Sequence, residues 1–466
     1  MKRYKVGFIS LGCPKNLVDT ESMMSALSDN SVLITGDETE ADIVVINTCG
    51  FLEPAKQESM STIEEFAEKK RAGQLSGLIV AGCMAERYLA PMRERFPEVD
   101  QFIRTGEFSK IVPAVEAIQE NVRISRESLL GEEIPQLQGH SEMKDYVSRL
   151  SLQRPYAYVK ISEGCNRNCS FCIIPKLRGK HHSRRIPGIV DEIQQLVENG
   201  TQEIIFIAQD LTSYGRDFRD GTSLFRLLEE VEKIEGLYWY RLIYNYPRFF
   251  SDDLIWLLAN SQKFSGYLDI PFQHISASIL KAMRRPESPT EILELISKLR
   301  SRLPRLSLRT TLMLGFPGET EGDFKELCEF IREVKFDHLG AFTYYRENDT
   351  PSFTLSGHVN DDVKQERYER LMILQKEIQK KKLQDQIGLT TEVMIDGIGD
   401  RTKEGQMYRG RHWGQAPEID SLTYVLSNQI LPIGSIVPVE IQRSFGDYDL
   451  FGLSSLSHLR RVESSS

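Results

Sequence analysis

The stretch Ile161-Ser-Glu-Gly-Cys-Asn-Arg-Asn-Cys-Ser-Phe-Cys172 closes an apolar run, Tyr156-Ala-Tyr-Val-Lys-Ile161, that has the pattern of a buried strand. Its spacing, C-x3-C-x2-C, puts the thiols of Cys165, Cys169 and Cys172 on one tight loop at a strand end. Three thiolates for a four-iron cubane leave one iron open, whereas iron–sulfur electron carriers saturate each iron with cysteine. Structural zinc asks for a fourth ligand at finger-like spacing, which this loop lacks; chance cysteines are the bland alternative.

An open iron can chelate a small molecule through its amino and carboxylate groups. The molecule that goes with this spacing is S-adenosylmethionine, and the cluster then becomes a source of radicals.

Composition bounds the rest. A chain of 466 residues suggests about three domains at the usual ~150 residues each. Hydrophobic content of 40% and charged content of 27% are those of a globular protein. No apolar run reaches the ~18 residues of a membrane span, and Met1-Lys-Arg-Tyr-Lys-Val lacks a signal-peptide core, so a cytoplasmic protein without membrane contact is expected. Seven cysteines, an odd number, argue for reduced thiols serving metal. A net charge of −9 gives no help to nucleic-acid binding, although a local basic patch can coexist with it.

The first ~140 residues read as alternating strands and helices: Lys5–Ser10, Ala41–Ile46 and Gly77–Ala81 as strands, Asn16–Leu27 and Glu53–Arg71 as helices. That alternation implies a doubly wound parallel sheet in an α/β fold. Cys13 in Leu-Gly-Cys-Pro, Cys49 in Asn-Thr-Cys-Gly and Cys83 in Ala-Gly-Cys-Met each follow one of these strands. Ligands bind at the carboxyl ends of such sheets, and the glycine beside each cysteine lets the backbone turn sharply. Three convergent thiolates again suggest a cluster with a free iron; buried cysteines acting as small hydrophobes are the alternative.

Residues 118–153 are polar and irregular and read as a linker that could include a strand pair. From Pro155 the alternation resumes, with strands at 156–161, 203–208, 238–243, 267–270, 306–314 and 338–342 and helices at 190–199 and 224–233. About six βα units imply a partial or full parallel barrel with its site at the carboxyl ends of the strands. Gln209 and Asp210, Gln273 and His274, and Gly315 all fall at such ends, where polar groups and bare backbone could hold S-adenosylmethionine. Each alone is weak, since a glycine there is usually a turn and a lone histidine usually a packing residue. Phe171 could cover the adenine or close the loop against the core. Cys328 shares a helical face with Phe324, Leu327 and Ile331 and reads as a core thiol. Gln365–Gln384 reads as a charged helix packing through Leu371, Ile373 and Ile378.

Beyond residue 384, short strands broken by glycine at 391–395, 421–426, 436–441 and 449–452 suggest a small antiparallel barrel. From Gln386 to the end there are ten acidic residues against seven Lys and Arg, which suits a basic protein partner better than a phosphate backbone.

Together these residues resemble the methylthiotransferases of the radical S-adenosylmethionine class over nearly the whole chain. The resemblance implies a cluster-bearing amino-terminal domain (1–140), a radical S-adenosylmethionine domain (150–384) and a TRAM-like barrel (385–460). Ser10-Leu-Gly-Cys-Pro-Lys-Asn-Leu-Val-Asp19, Gln415-Ala-Pro-Glu-Ile-Asp420 and Gly446-Asp-Tyr-Asp-Leu450 look like the branch that modifies ribosomal protein rather than tRNA, which typically has Gly-Cys-Gln-Met-Asn at the first of these sites. Ser421 stands where glycine is expected, and Lys180-His-His-Ser-Arg-Arg185 is unusual apart from its Ser-Arg tail.

The implied chemistry uses two 4Fe-4S clusters. The cluster on Cys165, Cys169 and Cys172 cleaves S-adenosylmethionine to a carbon radical; the cluster on Cys13, Cys49 and Cys83 supplies sulfur; a second S-adenosylmethionine supplies the methyl group. The implied acceptor is the β-carbon of an aspartate in small-subunit ribosomal protein twelve, with an electron donor and a sulfur source from outside the chain. No side-chain acid or base is assigned. The rivals are methylthiolation of a tRNA adenosine and a non-enzymatic iron–sulfur carrier, which would not need a barrel with polar strand ends.

Overall fold

The computed structural model describes residues 4–120 and 154–454. The expected linker falls almost wholly outside the described residues. The described chain forms two compact units. The first takes the chain up to residue 120 with Tyr158–Arg167 and Ile173–Gln195; the second takes Gln153–Ala157, Asn168–Cys172 and the chain from Leu196.

The first unit is built on five parallel strands: β1 (Lys5–Ser10), β2 (Leu33–Thr35), β3 (Ile43–Thr48), β4 (Gly77–Gly82) and β5 (Gln101–Ile103), in the order β2-β1-β3-β4-β5. Helices α1 (Pro14–Asp29) and α5 (Ile111–Gln119) cover one face, burying Met23, Leu27, Ile111 and Val115. Helices α2 (Glu53–Arg71), α3 (Cys83–Arg87) and α4 (Leu89–Arg95) cover the other with Ile63, Phe66, Met84 and Met92. Every residue of β3 and β4 is buried, as expected of central parallel strands covered on both faces. β3 runs two residues past the expected Ile46, through Asn47 and Thr48, because both polar side chains are buried and hydrogen-bonded. The three-residue strands β2 and β5 are too short to leave a pattern.

The chain continues through β6 (Tyr156–Lys160), β7 (Ser162–Glu163), α6 (Ile174–Arg178), β8 (His182–Ser183) and α7 (Ile186–Glu198), with β7 and β8 forming a short antiparallel ribbon.

In the second unit, strands alternate with helices: β9 (Glu203–Ile207), α8 (Leu224–Val231), β10 (Trp239–Leu242), α9 (Asp252–Asn260), β11 (Phe264–Asp269), α10 (Ala277–Ala282), α11 (Pro289–Arg302), β12 (Ser307–Leu314), α12 (Glu321–Val334) and β13 (His338–Thr343). Strands β9 to β13 are parallel, and the sheet order β13-β12-β11-β10-β9-β6 does not close, so this is a partial barrel. Ser288 and Thr320 start α11 and α12 with reciprocal capping boxes to Glu291 and Asp323. Cys328 is buried on the inner face of α12, as expected.

Helix α13 (Asp361–Gln384) begins four residues before the expected start, at the cap Asn360. Leu371 and Ile378, two turns apart, are buried, but Ile373 is 61% exposed. A residue two positions from a buried one points to the far side of a helix, which corrects the expected packing role of Ile373.

The terminal barrel is closed and has five strands, not four: β14 (Thr390–Thr402), β15 (Gly405–His412), β16 (Thr423–Ser427), β17 (Ile436–Phe445) and β18 (Asp449–Ser454), in the order β14-β15-β16-β18-β17. The β16–β18 pair is parallel and the others antiparallel. β15 escapes the alternation rule because its inner end carries Arg411, buried and charged where an apolar residue is expected.

Arg411 belongs to a buried ionic join between this barrel and the starts of the parallel strands. Glu203, the first residue of β9, accepts hydrogen bonds from Arg241 and from Arg411 Nη1 (2.7 Å), and Arg411 also holds Asp396. Burial alone would push the Glu203 carboxyl up, but the two guanidiniums outweigh it and hold the carboxyl below its usual range. The segment after β15 continues the join. Arg241 donates to Trp413 O, while Ser307 Oγ (3.0 Å) and the His338 ring (2.7 Å) bond Gly414 O. Asp420 accepts from Tyr267 Oη at 2.6 Å. Among the described residues, no helix is long and apolar enough to cross a membrane.

Replacing Glu203 with Ala leaves Arg241 and Arg411 buried without their shared carboxylate, a loss of about 3–5 kcal/mol. Guanidinium unfolding of the full chain is expected to show it, with Glu203→Gln losing less.

Candidate metal centres

The order β2-β1-β3-β4-β5 reverses between β1 and β3, and open sheets of this kind bind ligands at the carboxyl ends of the strands beside that reversal. Cys13 follows β1, Cys49 follows β3 and Cys83 follows β4. Thr48 pairs with Gly82 in register, so Cys49 and Cys83 leave the sheet side by side.

The approach is closer than a side chain would allow. A Cβ on Gly12 would lie 2.7 Å from Cys49 Cβ and 3.0 Å from its sulfur, and one on Gly50 would lie 2.9 Å from Cys83 O. Gly82, at φ +91°, would meet Asn47 Oδ1 at 2.3 Å. Asn16, fully buried in the Pro-Lys-Asn run, ties the loops together by donating to Leu11 O and Thr48 O, both at 2.9 Å. Asn47 Nδ2 returns a bond to Asn16 O at 2.8 Å.

Cys13 stands at the amino-terminal cap position of α1 in extended backbone. Burial pushes the Cys49 thiol up to about 11 and raises that of Cys83. The three sulfurs are near enough to feel one another's charge. Among the described residues, no three of His, Cys, Asp and Glu are grouped tightly enough to hold a single metal ion. The cysteines of a cubane each take a different iron, so they need less crowding. Three free thiols, gathered by glycines that a Cβ would disrupt, fit an iron–sulfur cluster.

Sequence reasoning found these cysteines but missed the charges behind them. Asp19, fully buried, receives Lys160 and Arg178 Nη1 (2.8 Å), and Glu163 receives the same two cations at 2.6 and 3.2 Å. Buried charged residues spread from 19 to 178 leave no local signal.

On the second cysteine loop, Cys165, Cys169 and Cys172 are all partly exposed. Cys165 N donates to Gly179 O at 3.1 Å, and Arg167 N points at Cys165 Sγ, 3.4 Å away. Gly164 at φ +74° permits this turn, since a Cβ there would lie 2.2 Å from Lys180 O. Cys172 N closes a turn on Cys169 O at 3.1 Å. Within the second unit, Phe171 packs on Ile279, Met283, Met313, Phe316 and Tyr344.

The strand-end residues divide. Asp210 is spent on its own turn, accepting from Ser213 Oγ (2.6 Å) and Thr212 Oγ (3.0 Å). His274 is fully buried; its Nδ1 accepts from Ser276 N at 2.9 Å, and its Nε2 lies 3.6 Å from Glu319 Oε2. Gly315 N donates to the same Glu319 oxygen at 2.8 Å, and Arg367 holds the other at 2.7 Å. Gln209 sits half-buried just past β9. Gln273 differs: its backbone takes φ +72° to bridge Leu312, and its Oε1 is buried with no hydrogen-bond partner among the described residues. An orphaned acceptor at a strand's carboxyl end is what a bound donor would satisfy.

Three family matches follow the chain: residues 5–104 match the Uncharacterized protein family UPF0004, 159–331 the Radical SAM superfamily and 387–453 the TRAM domain. Among solved structures, the radical S-adenosylmethionine methyltransferase TsrM from Kitasatospora setae, with cobalamin and a [4Fe-4S] cluster bound, matches with TM-score 0.57 and 16% identity, covering 76% of this chain and 77% of that one. The cobalamin-dependent S-adenosylmethionine radical enzyme OxsB follows with TM-score 0.53 and 12% identity over 80% of this chain and 56% of its own. Both likenesses concern the fold alone. With three cysteines at an amino-terminal switch point, a radical SAM domain and a TRAM barrel, the architecture is that of a radical SAM methylthiotransferase.

The curated relatives are more specific. The ribosomal protein uS12 methylthiotransferase RimO of Clostridioides difficile (strain 630) is 43% identical over 452 residues, 96% of this chain and 98% of that protein. RimO of Desulforamulus reducens is 44% identical over the same shares. The chain belongs to the RimO family of ribosomal protein uS12 methylthiotransferases.

Two outcomes are expected at the amino-terminal site. Gly50→Ala forces the Cys49 and Cys83 loops apart, so iron analysis after anaerobic reconstitution is expected to find this site empty and the Cys165 loop still loaded. In the metal-free chain, Cys49 keeps its proton up to about pH 11, while the unfolded thiol ionises from its ordinary value of 9.0. The folded state therefore binds more protons in that window, and stability falls as pH rises through it, by up to ~1.4 kcal/mol per pH unit from this group. Urea melts at stepped pH are expected to show the slope and Cys49→Ser to flatten it.

Proposed function

We propose that this chain methylthiolates the β-carbon of an aspartate in ribosomal protein uS12, using two 4Fe-4S clusters and S-adenosylmethionine. The observation that carries the reading is the 43–44% identity to uS12 methylthiotransferases over 96% of the chain, which takes in both cysteine sets. On this reading residues 1–140 hold the sulfur-supplying cluster on Cys13, Cys49 and Cys83. Residues 150–384 hold the radical cluster on Cys165, Cys169 and Cys172, and residues 385–460 form the TRAM domain.

When bound, these groups supply the one-electron chemistry that takes hydrogen from an unactivated carbon, together with the sulfur and methyl that replace it. The chain's own residues bind and orient. Gln273 Oε1, an unpaired acceptor, would take a hydrogen bond from S-adenosylmethionine. Gln209 stands at the neighbouring strand end and Gly315 offers bare backbone. Asp210 and His274 act one step back, fixing the turn after β9 and the Gly315–Glu319 loop. Phe171 closes its loop against the core. No side-chain base is called for, because an aspartyl β-carbon has no usefully acidic proton near neutral pH.

The charge of the last domain supports the choice of a basic protein partner less than a bare count implies. Asp396 pairs with Arg411, Glu418 with Arg154, and Asp420 lies by Arg309 and His338, so these acids serve the fold. The enzyme would work in the cytoplasm, with an electron donor and a sulfur source supplied from outside.

Mass spectrometry after anaerobic incubation with S-adenosylmethionine, sulfide, reductant, uS12 and tRNA tests the reading. A methylthio increment on an aspartate of uS12 is expected; the increment on a tRNA adenosine instead would overturn the substrate. Replacing Cys13, Cys49 and Cys83 by Ala is expected to leave S-adenosylmethionine cleavage within about twofold while abolishing sulfur insertion. Loss of both together would refute the division of roles.

A further inference from the structure

The helix that starts just after Cys13 and the two segments flanking the second cysteine loop meet on one side chain. Asp19, fully buried on α1, accepts from Lys160 through Oδ1 and from Arg178 through Oδ2 at 2.8 Å. Lys160 ends β6, five residues before Cys165, and Arg178 ends α6, six residues after Cys172. Glu163 Oε2 accepts from the same two cations at 2.6 and 3.2 Å and so ties one flank to the other. The flanks also reach the amino-terminal loops. Arg178 Nη2 donates to Asn16 Oδ1, and Asn16 Nδ2 donates to Leu11 O and Thr48 O, the carbonyls two residues before Cys13 and one before Cys49. Ile173, next to Cys172, and Leu177 share an apolar cluster with Cys83 and Phe51, and Thr105 Oγ bonds Leu177 O at 2.7 Å.

Stability alone does not call for this arrangement. Taking two cations and two carboxylates out of water carries a desolvation cost that apolar side chains of similar volume avoid, and the best-attested use of such buried charges is to fix a register. The register fixed here is between two sets of thiols far apart in sequence. A carboxylate whose two oxygens are taken by different cations leaves neither flank free to slide along α1.

We propose that Asp19 is a positioning residue for sulfur insertion: its single carboxylate holds both flanks of the Cys165–Cys172 loop against α1 and so fixes the spacing of Cys165 from the amino-terminal cysteines. This rests on the reading that both cysteine sets hold clusters and that the chain methylthiolates an aspartate. In that reaction hydrogen is taken from the β-carbon at one site and sulfur arrives from the other. The carbon radical either forms its bond to sulfur or takes a hydrogen atom from a thiol in the medium. The second course spends S-adenosylmethionine and returns the aspartate unchanged. Misplacement by about 1 Å can slow a step between held partners about a hundredfold, so the partition between the two courses reads the spacing.

The test uses the full chain reconstituted with iron and sulfide, with Asp19→Asn and Lys160→Met beside the parent. Mass spectrometry counts methylthio-uS12 formed per 5′-deoxyadenosine released. Asp19→Asn is expected to keep the parent's iron content and to cleave S-adenosylmethionine within about twofold of its rate. Its product per 5′-deoxyadenosine is expected to fall at least about tenfold, with Lys160→Met, which frees one flank, in between. A second readout needs no turnover: with both clusters reduced, electron paramagnetic resonance of the parent is expected to show one sharp spin–spin splitting, broadened in Asp19→Asn. An unchanged product ratio or an unchanged splitting in Asp19→Asn at equal iron content overturns the proposal, and a loss of stability alone moves neither. Should neither variant load both sites, the parent decides, and a spread of splittings there overturns the proposal. A parent that loads iron at only one cysteine set, or forms no methylthio-uS12, sinks the underlying reading and the proposal with it, a result distinct from an active parent whose Asp19→Asn variant partitions as it does.

Discussion

Three pieces of backbone meet at the amino-terminal site more closely than any Cβ permits, and the rest of that unit is arranged around this approach. Gly12, Gly50 and Gly82 remove the obstacle, the parallel register brings the second and third segments to one height, and Asn16 bonds the first to the second. Each cysteine is then placed by chain geometry more than by its own rotamer. Cys49 and Cys83 are buried, and that burial raises both thiols. On the proposed reading, loading the site would mean releasing protons as well as gaining iron.

Buried ions perform the second task, joining segments far apart in sequence. Asp19 brings β6 and α6 to α1, and Glu203 brings the terminal barrel to the starts of the strands. Apolar contacts could supply similar stability, and ion pairs in the interior are seldom the cheapest way to obtain it. What they add is direction, because a guanidinium shared between two carboxylates accepts few alternative registers. In the first unit this selectivity falls on the very segments that carry the cysteines.

Most strands of the two parallel sheets were legible because central parallel strands are continuous apolar runs. Cys13, Cys49 and Cys83 were legible because they recur at those ends. The short edge strands β2 and β5 were not, since three residues carry no period. β15 was hidden by Arg411, an inward charge that only makes sense once Glu203, some two hundred residues earlier, is beside it. The same reason hid Arg178. Spacing reveals residues that act on one loop, while residues that act across loops become visible only in three dimensions. Asp210 and His274 show how polar residues at strand ends can also have local partners: Asp210 accepts from Ser213 and Thr212 in its own turn, and His274 Nδ1 accepts from Ser276 N.

The terminal barrel meets the parallel sheet at the strand starts, whereas Gln209, Gln273 and Gly315 stand at the strand finishes. The longest strand, β12, has eight residues and so spans roughly 26 Å. On the proposed reading, a substrate held by the barrel would make the domain a ruler. A macromolecule that gripped the barrel would then have to send its reacting atom the length of the sheet, so selection would fall on the distance between a folded handle and an extended loop as much as on the residue at the loop's tip.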